Sequence, residues 1–340
     1  MYYAARETHA DKSMCWICLK VSQDDGVTWQ DKGVLFAQKE RPANEYPDVP
    51  DKGWALKHPH AVRLPNGKIG LTYTKNIPGG SWISIRVFRY FPRRGLEAVA
   101  ETADNIMNVN NWSPEDKMTD DTWPYSAGVH DRTYVLSDGS LLTTVLVADK
   151  ARLGLKIGTD MYKLPARYVN DPEDDPSGKW IKTTPKRIYV GGRSGFVESS
   201  AIEWDPKGHP GHLLAYGRTE TGWFYQVRSE NCGQTWSAPV QSPVRAPVAP
   251  PYLRKIPDTP YIVLIRNPYI NGRSRAILAS QISSDGGVTW ENYRQIEYTG
   301  KEAFDYPFVL FDDNSIHSAY RVRNSIGCRE LPRDWFIRQE

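Results

Sequence analysis

Apolar and polar residues alternate over short stretches along this chain. Residues 15–21, 223–228 and 276–282 each run at period two, the mark of a strand with one buried face. Turn residues end these runs at short intervals. A recurring unit has an apolar strand, a polar turn with Gly or Asn, and a second apolar strand. It reads over residues 60–73, turning at Pro65-Asn66-Gly67, and over 133–142, turning at Ser137-Asp138-Gly139. Further copies run over 199–217, 249–265 and 306–320, the last turning at Asp312-Asp313-Asn314. Each predicts a hairpin, and no stretch predicts a long helix.

A second repeat sits between strands. Ser22-Gln23-Asp24-Asp25-Gly26-Val27-Thr28-Trp29 recurs as Ser283-Ser284-Asp285-Gly286-Gly287-Val288-Thr289-Trp290. A third copy, Ser229-Glu230-Asn231-Cys232-Gly233-Gln234-Thr235-Trp236, has Asn in place of Asp. The pattern S-x-D-x-G-x-T-W follows an alternating run each time, which places it in a hairpin turn. The Asp side chain can accept turn N–H groups, Gly supplies a backbone shape barred to other residues, and Trp packs beneath the loop. The box is therefore expected to hold the fold together rather than do chemistry.

Internal repetition of this kind predicts a fold built from repeated sheets. The hairpins give five complete units and a partial first one, if residues 101–122 and 169–184, both polar, are insertions. That count predicts an all-β, six-bladed β-propeller of four-stranded antiparallel sheets, with seven blades as the alternative. Residues 1–340 form a single propeller domain on this reading, and blade 1 lacks its first strand at the N-terminus. The beginnings of the innermost strands converge on the axis in such a fold, although they lie far apart in sequence.

Composition narrows the function classes. With 43 basic and 40 acidic residues, the net charge of +3 offers no concentrated basic face for nucleic acid. No apolar run reaches the ~18–20 residues of a membrane span. The start, Met1-Tyr2-Tyr3-Ala4-Ala5-Arg6, lacks the basic and apolar regions of a secretory signal. The compartment stays open, because a secreted or periplasmic chain with a processed N-terminus would look the same. Cys15-Trp16-Ile17-Cys18 is a CxxC within a strand-like run, where positions i and i+3 face opposite ways, so a shared metal is not expected. No phosphate-binding glycine motif occurs. Neither metal nor cofactor is expected.

Boxes on a six-bladed propeller resemble the sialidase, or neuraminidase, superfamily of BNR-repeat proteins, and the resemblance spans nearly the whole chain. It implies an exo-acting glycosidase whose partner is a carbohydrate, a sialoside or another acidic glycan. The family clamps a carboxylate with three arginines and uses a Tyr nucleophile with a Glu partner and an Asp acid/base. Glu198 opens an inner strand and Arg218 ends the next, before the box at Ser229. They match the family's Glu and second arginine. Arg275, shortly before the box at Ser283, matches the third, with Arg273 as the fallback. Tyr306 begins the last inner strand and matches the nucleophile. Asp11, in the stretch before the first box, matches the acid/base. The family's first arginine stands in an Arg-Ile-Pro segment, and that tripeptide does not occur here.

These residue types suit such chemistry. A guanidinium fork holds a carboxylate bidentately. A neutral phenol avoids the repulsion a carboxylate nucleophile would meet at an anomeric carbon bearing its own carboxylate. With an ordinary pKa of ~10, the phenol needs a base within reach, the part Glu198 would take.

The histidines support a rival reading. His58 and His60 open the second blade's inner strand and His130 the third's, all expected near the axis as substrate-binding groups. A histidine base there would instead suit a glycosidase or polysaccharide lyase acting on rhamnose- or uronate-bearing glycans. His58-x-His60 permits a metal, but no third ligand is spaced to complete it. A non-catalytic glycan-binding propeller is the third reading. Trp54, Trp82, Trp112, Trp123 and Trp223 either line the mouth or pack.

Overall fold

The structure, a computed structural model, describes residues 2–6, 15–24, 27–36, 55–77, 80–91, 95–101, 128–129, 133–151, 154–170, 180–270, 275–298, 300, 303–323 and 325–338. Predicted site residues Asp11 and His130 lie outside this set, as do Trp54, Trp112 and Trp123.

The described residues are all-β apart from one short helix, α1 (Ala166–Asn170), and the antiparallel sheets have the propeller-like arrangement. The first sheet holds β1 (Tyr2–Arg6), β2 (Cys15–Val21), β3 (Gln30–Phe36), β4 (Ala55–Arg63), β5 (Ile69–Ile77), β6 (Gly80–Phe91) and β7 (Gly95–Glu101). The second holds β8 (Gly128–Val129), β9 (Tyr134–Val135), β10 (Leu141–Ala151), β11 (Gly154–Leu164) and β12 (Ile181–Lys182). The third runs in order through β13 (Val197–Glu203), β14 (Leu213–Arg218), β15 (Trp223–Ser229) and β16 (Val240–Arg245). The fourth runs through β17 (Tyr252–Lys255), β18 (Ile262–Arg266), β19 (Ile277–Ser283) and β20 (Glu291–Tyr298). The fifth is β21 (Phe304–Phe311), β22 (Ser315–Val322) and β23 (Ser325–Pro332).

The expected count of six four-stranded blades is corrected. Among the described residues there are five sheets, and only two have four strands. The first is seven-stranded because β2 and β4 share one parallel pairing, Cys15 with Ala55, which merges two groups of hairpins into one ladder. Sequence alternation marks strands but not which strand edges meet.

The chain divides into two compact units. One comprises Met1–Gln23, Val27–Lys150 and Met161–Lys182; the other comprises Asp24–Gly26, Ala151–Asp160 and Thr183–Glu340. The first unit buries a cluster built on Leu64, Leu141, Val145, Tyr162, Leu164 and Trp180. The second buries Tyr252, Val263, Ile265, Leu278, Val309, Ile316 and Phe336 in a continuous cluster. Apolar burial of this kind stabilises each residue by ~1.5–3 kcal/mol relative to exposure.

Within the second unit the first strands of the three sheets lie side by side, β13 beside β17 and β17 beside β21. β13 is buried at every position, as a strand with neighbours on both faces must be. Side chains stitch these strands: Leu253 N–H donates to Ser200 Oγ at 2.9 Å, and Val309 N–H to the Tyr252 hydroxyl at 3.0 Å.

The two boxes of this unit fold alike. Ser283 Oγ accepts the Gly287 N–H at 2.8 Å, and Asp285 Oδ1 accepts N–H groups of Val288 at 3.0 Å and Thr289 at 2.9 Å. Gly286 and Gly287 take φ of +68° and +82°, as the turn requires. Asn231 repeats the pattern, accepting Thr235 N–H at 2.9 Å, while Gly233 N–H donates to Ser229 Oγ at 2.9 Å. Trp290 Nε1 donates to the Tyr216 hydroxyl at 3.0 Å, and Trp236 Nε1 to Thr183 Oγ1 at 3.1 Å. These side chains are spent on the turns and on packing.

Candidate active site

The site assembles in the second unit at the entry ends of β13 and β21. Both strands carry an irregularity there. The β13–β14 register shifts between Val197 and Ser200, and the β21–β22 register shifts between Asp305 and Phe308. Glu198 and Tyr306 sit inside these shifts with φ of 46° and 50°, a left-handed conformation that non-glycine residues adopt at a cost of ~1–3 kcal/mol. The bulges turn both side chains toward each other. The Tyr306 hydroxyl donates to Glu198 Oε1 at 2.7 Å.

Arg218, the last residue of β14, donates from Nη1 to the other carboxylate oxygen of Glu198. Glu198 is thus a bridge between a phenol and a guanidinium, and it is only 9% exposed. Arg218 Nε is buried and, among the described residues, has no hydrogen-bond partner.

Arg275, two residues before β19, points to Asp305, the residue before Tyr306 on β21. Its Nη1 pairs with Asp305, and its Nη2 donates to the Val248 carbonyl at 2.8 Å. Asp305 is fully buried and also receives Arg321 from β22, through Nε at 2.6 Å and through Nη2. The Arg321 guanidinium lies over the Tyr306 ring, 5.0 Å from its centroid. Asn267, itself buried, anchors this corner by donating to the carbonyls of Phe304 at 2.8 Å and Ile277 at 2.7 Å.

The electrostatics follow from this geometry. Burial raises the Tyr306 pKa, and the adjacent Glu198 charge and hydrogen bond raise it further, against the opposing pull of Arg275 and Arg218. The phenol therefore keeps its proton unless a base removes it. Arg321 has its pKa raised, chiefly by its hydrogen bonds to Asp305. Among the described residues three guanidiniums meet two carboxylates here, which leaves one positive charge in surplus.

Four of the residues singled out from sequence are thus brought together: Glu198, Arg218, Arg275 and Tyr306. His58 and His60 lie on β4 in the other unit. The His60 carbonyl accepts Thr72 Oγ1 at 3.2 Å, and the side chain of His58 lies outside the described residues. Sequence reading missed Asp305 and Arg321. The available signal was the hairpin turn at 312–314, across which Asp305 and Arg321 pair directly. Among the described residues no cluster of three or more His, Cys, Asp or Glu could hold a metal, and no helix is long and apolar enough to cross a membrane.

A family model described as a BNR repeat-like domain matches residues 3–318. No curated protein matches the chain. Among solved structures, a Dyadobacter fermentans protein of unknown function is similar at 15% identity and a TM-score of 0.65, over 96% of this chain and 85% of that one. Trypanosoma rangeli sialidase, solved with sialic acid, is similar at 15% identity and a TM-score of 0.60; the match covers 96% of this chain and 50% of that one, so this chain spans about half its length. The intramolecular trans-sialidase of Ruminococcus gnavus, solved with oseltamivir carboxylate, is similar at 12% identity and a TM-score of 0.64, over 99% and 92%. At such identities the likeness is one of fold.

Proposed function

The chain belongs to the BNR repeat-like domain family, and from that premise we propose that it is a glycoside hydrolase, a sialidase-like exo-glycosidase acting on a carboxylate-bearing sugar. The observation that carries this reading is the Tyr306–Glu198 hydrogen bond flanked by Arg218 and the Arg275–Asp305–Arg321 cluster. A phenol paired to a carboxylate base is an activated nucleophile, and a surplus of guanidinium charge beside it suits an acidic substrate.

The step balances as follows. Glu198 takes the Tyr306 proton as the phenolic oxygen bonds to the anomeric carbon. The glycosidic C–O bond breaks, and its oxygen takes a proton from a carboxylic acid, the part that the resemblance assigns to Asp11, which lies outside the described residues. In the second half, Asp11 removes a proton from water, and the water oxygen bonds to the anomeric carbon. The Tyr306–carbon bond then breaks, and the phenol regains its proton from Glu198. Two displacements give net retention of configuration. Arg218 and Arg275 hold the sugar carboxylate. The sialidase and trans-sialidase neighbours, with their bound sialic acid and oseltamivir carboxylate, support this substrate class.

The test is turnover of an aryl sialoside, with the anomeric configuration of the first product followed by NMR. Release of the retained anomer by the wild type, lost in Tyr306→Phe, is the expected result. Undiminished turnover in Tyr306→Phe with loss in His60→Ala would overturn the reading in favour of a histidine base.

A further inference from the structure

We propose that Arg321 is a substrate-binding and specificity-determining residue, whose guanidinium receives the carboxylate of the sugar directly while its face supports the Tyr306 ring. The proposal rests on the reading of Tyr306 as the reacting phenol, and it adds a group that neither sequence pattern nor family likeness singled out.

Charge and exposure lead to Arg321. Arg218 is matched by Glu198. Asp305 takes both Arg275 and Arg321, and one buried carboxylate neutralises only one of them. The side chains of Arg218 and Arg275 are each 18% exposed, whereas that of Arg321 is 51% exposed. The surplus positive charge is therefore most open to solvent at Arg321, beside the two less exposed arginines.

Its geometry is already fixed for recognition. Nε and Nη2 grip Asp305 side by side, so the guanidinium plane is set before any ligand arrives. Among the described residues Nη1 has no hydrogen-bond partner, which leaves an edge of the fork for an incoming oxyanion. A planar, pre-oriented fork is the group that distinguishes a carboxylate from a neutral substituent of the same size. The stacking distance of 5.0 Å falls within cation–π range, so the oxyanion would be held beside the phenol that attacks. β22 supplies this residue because Arg321 pairs with Asp305 across the hairpin, one position before Tyr306.

The experiment is calorimetric titration with 2,3-didehydro-2-deoxy-N-acetylneuraminic acid and with its methyl ester, on the full chain. Wild type, Arg321→Met and Arg321→Lys are compared, with circular dichroism as the check on folding. The wild type is expected to prefer the acid. Arg321→Met is expected to lose about tenfold or more in affinity for the acid and little for the ester, the effect of one charge-assisted hydrogen bond. Arg321→Lys, which keeps the charge without the fork, is expected to fall between. If Arg321→Met does not fold, the Lys variant decides. An acid-over-ester preference that is undiminished in the folded variants, or a wild type without that preference, overturns the proposal. Failure of the nucleophile reading looks different: turnover persists in Tyr306→Phe while the acid-over-ester preference still depends on Arg321.

Discussion

The hydroxyl of Tyr306 reaches Glu198 Oε1 at 2.7 Å across 108 residues of chain, and both residues hold left-handed backbone angles inside register shifts. Two strands of the second unit have each given up regular pairing at the same place to make one contact. Strained conformations of this kind persist where the surroundings over-determine them, and they gather at functional sites.

The first prediction concerns that contact. Tyr306→Phe and Glu198→Gln should each lower kcat for an aryl sialoside by roughly 10²–10⁴-fold with a small change in KM, because each removes proton transfer rather than binding. Steady-state kinetics on purified variants would check it. A larger effect on KM than on kcat would move both residues into a binding role.

The pH profile follows from the raised Tyr306 pKa. A raised value means that the protonated phenol persists beyond the ordinary ~10. Activity should therefore show no inflection from Tyr306 up to that pH. An alkaline rise near pH ~10, absent in Tyr306→Phe, would mean that free phenolate attacks without Glu198.

Asp305 is fully buried between two guanidiniums. Asp305→Asn keeps the shape but removes the charge, so it should destabilise the fold by about 3–5 kcal/mol, the cost of breaking a buried pair by removing one partner. Denaturant unfolding would measure it. A loss below about 1 kcal/mol would show that solvent, not Asp305, balances these arginines.

The box turns predict a contrast between two substitutions. Asn231 already fills the Asp position in one copy and keeps the bonds from Ser229 Oγ and Thr235 N–H. Asp285→Asn should therefore cost less than about 1 kcal/mol, and Asp285→Ala about 2 kcal/mol, through several lost turn bonds. Activity per folded molecule should be unchanged in both. Selective loss of activity would put the box in the chemistry.

Acid stability offers a check in the other unit. Burial raises the Asp138 pKa, but hydrogen bonds from Lys163, at 2.6 Å, and from Ser140 outweigh it and leave the pKa lowered. A lowered folded value means that the pair stabilises above the ordinary carboxylate pKa of ~3.9 and that this contribution is lost as pH falls below it. The Tm gap between wild type and Asp138→Asn should be present at neutral pH and close in acid. A constant gap would remove the charge from the explanation.

Much of this was legible in the residues. Alternation and turn chemistry mark the hairpins over 199–217, 249–265 and 306–320, and the box sequence carries its own hydrogen-bond plan. Glu198, Arg218, Arg275 and Tyr306 could be picked through the resemblance to sialidases, which their places beside strands and boxes match. Sheet boundaries could not, because the pairing of Cys15 with Ala55 depends on which edges meet in space. Asp305 and Arg321 were hidden for a related reason. Tyr306 and Pro307 interrupt the ladder, with Asp305 opposite Arg321 and Phe308 opposite Ala319, so facing partners cannot be counted until the bulge is located. Asp305 also sits in an apolar strand, where its neighbours mask it as a core position.

The most direct test is to trap the intermediate. A 2,3-difluorinated sialic acid bearing a fluoride leaving group should bond covalently to the protein, and peptide mass spectrometry should find the adduct on Tyr306, with none formed in Tyr306→Phe. An adduct on another residue, or steady turnover of sialosides without any trapped species, would contradict the account.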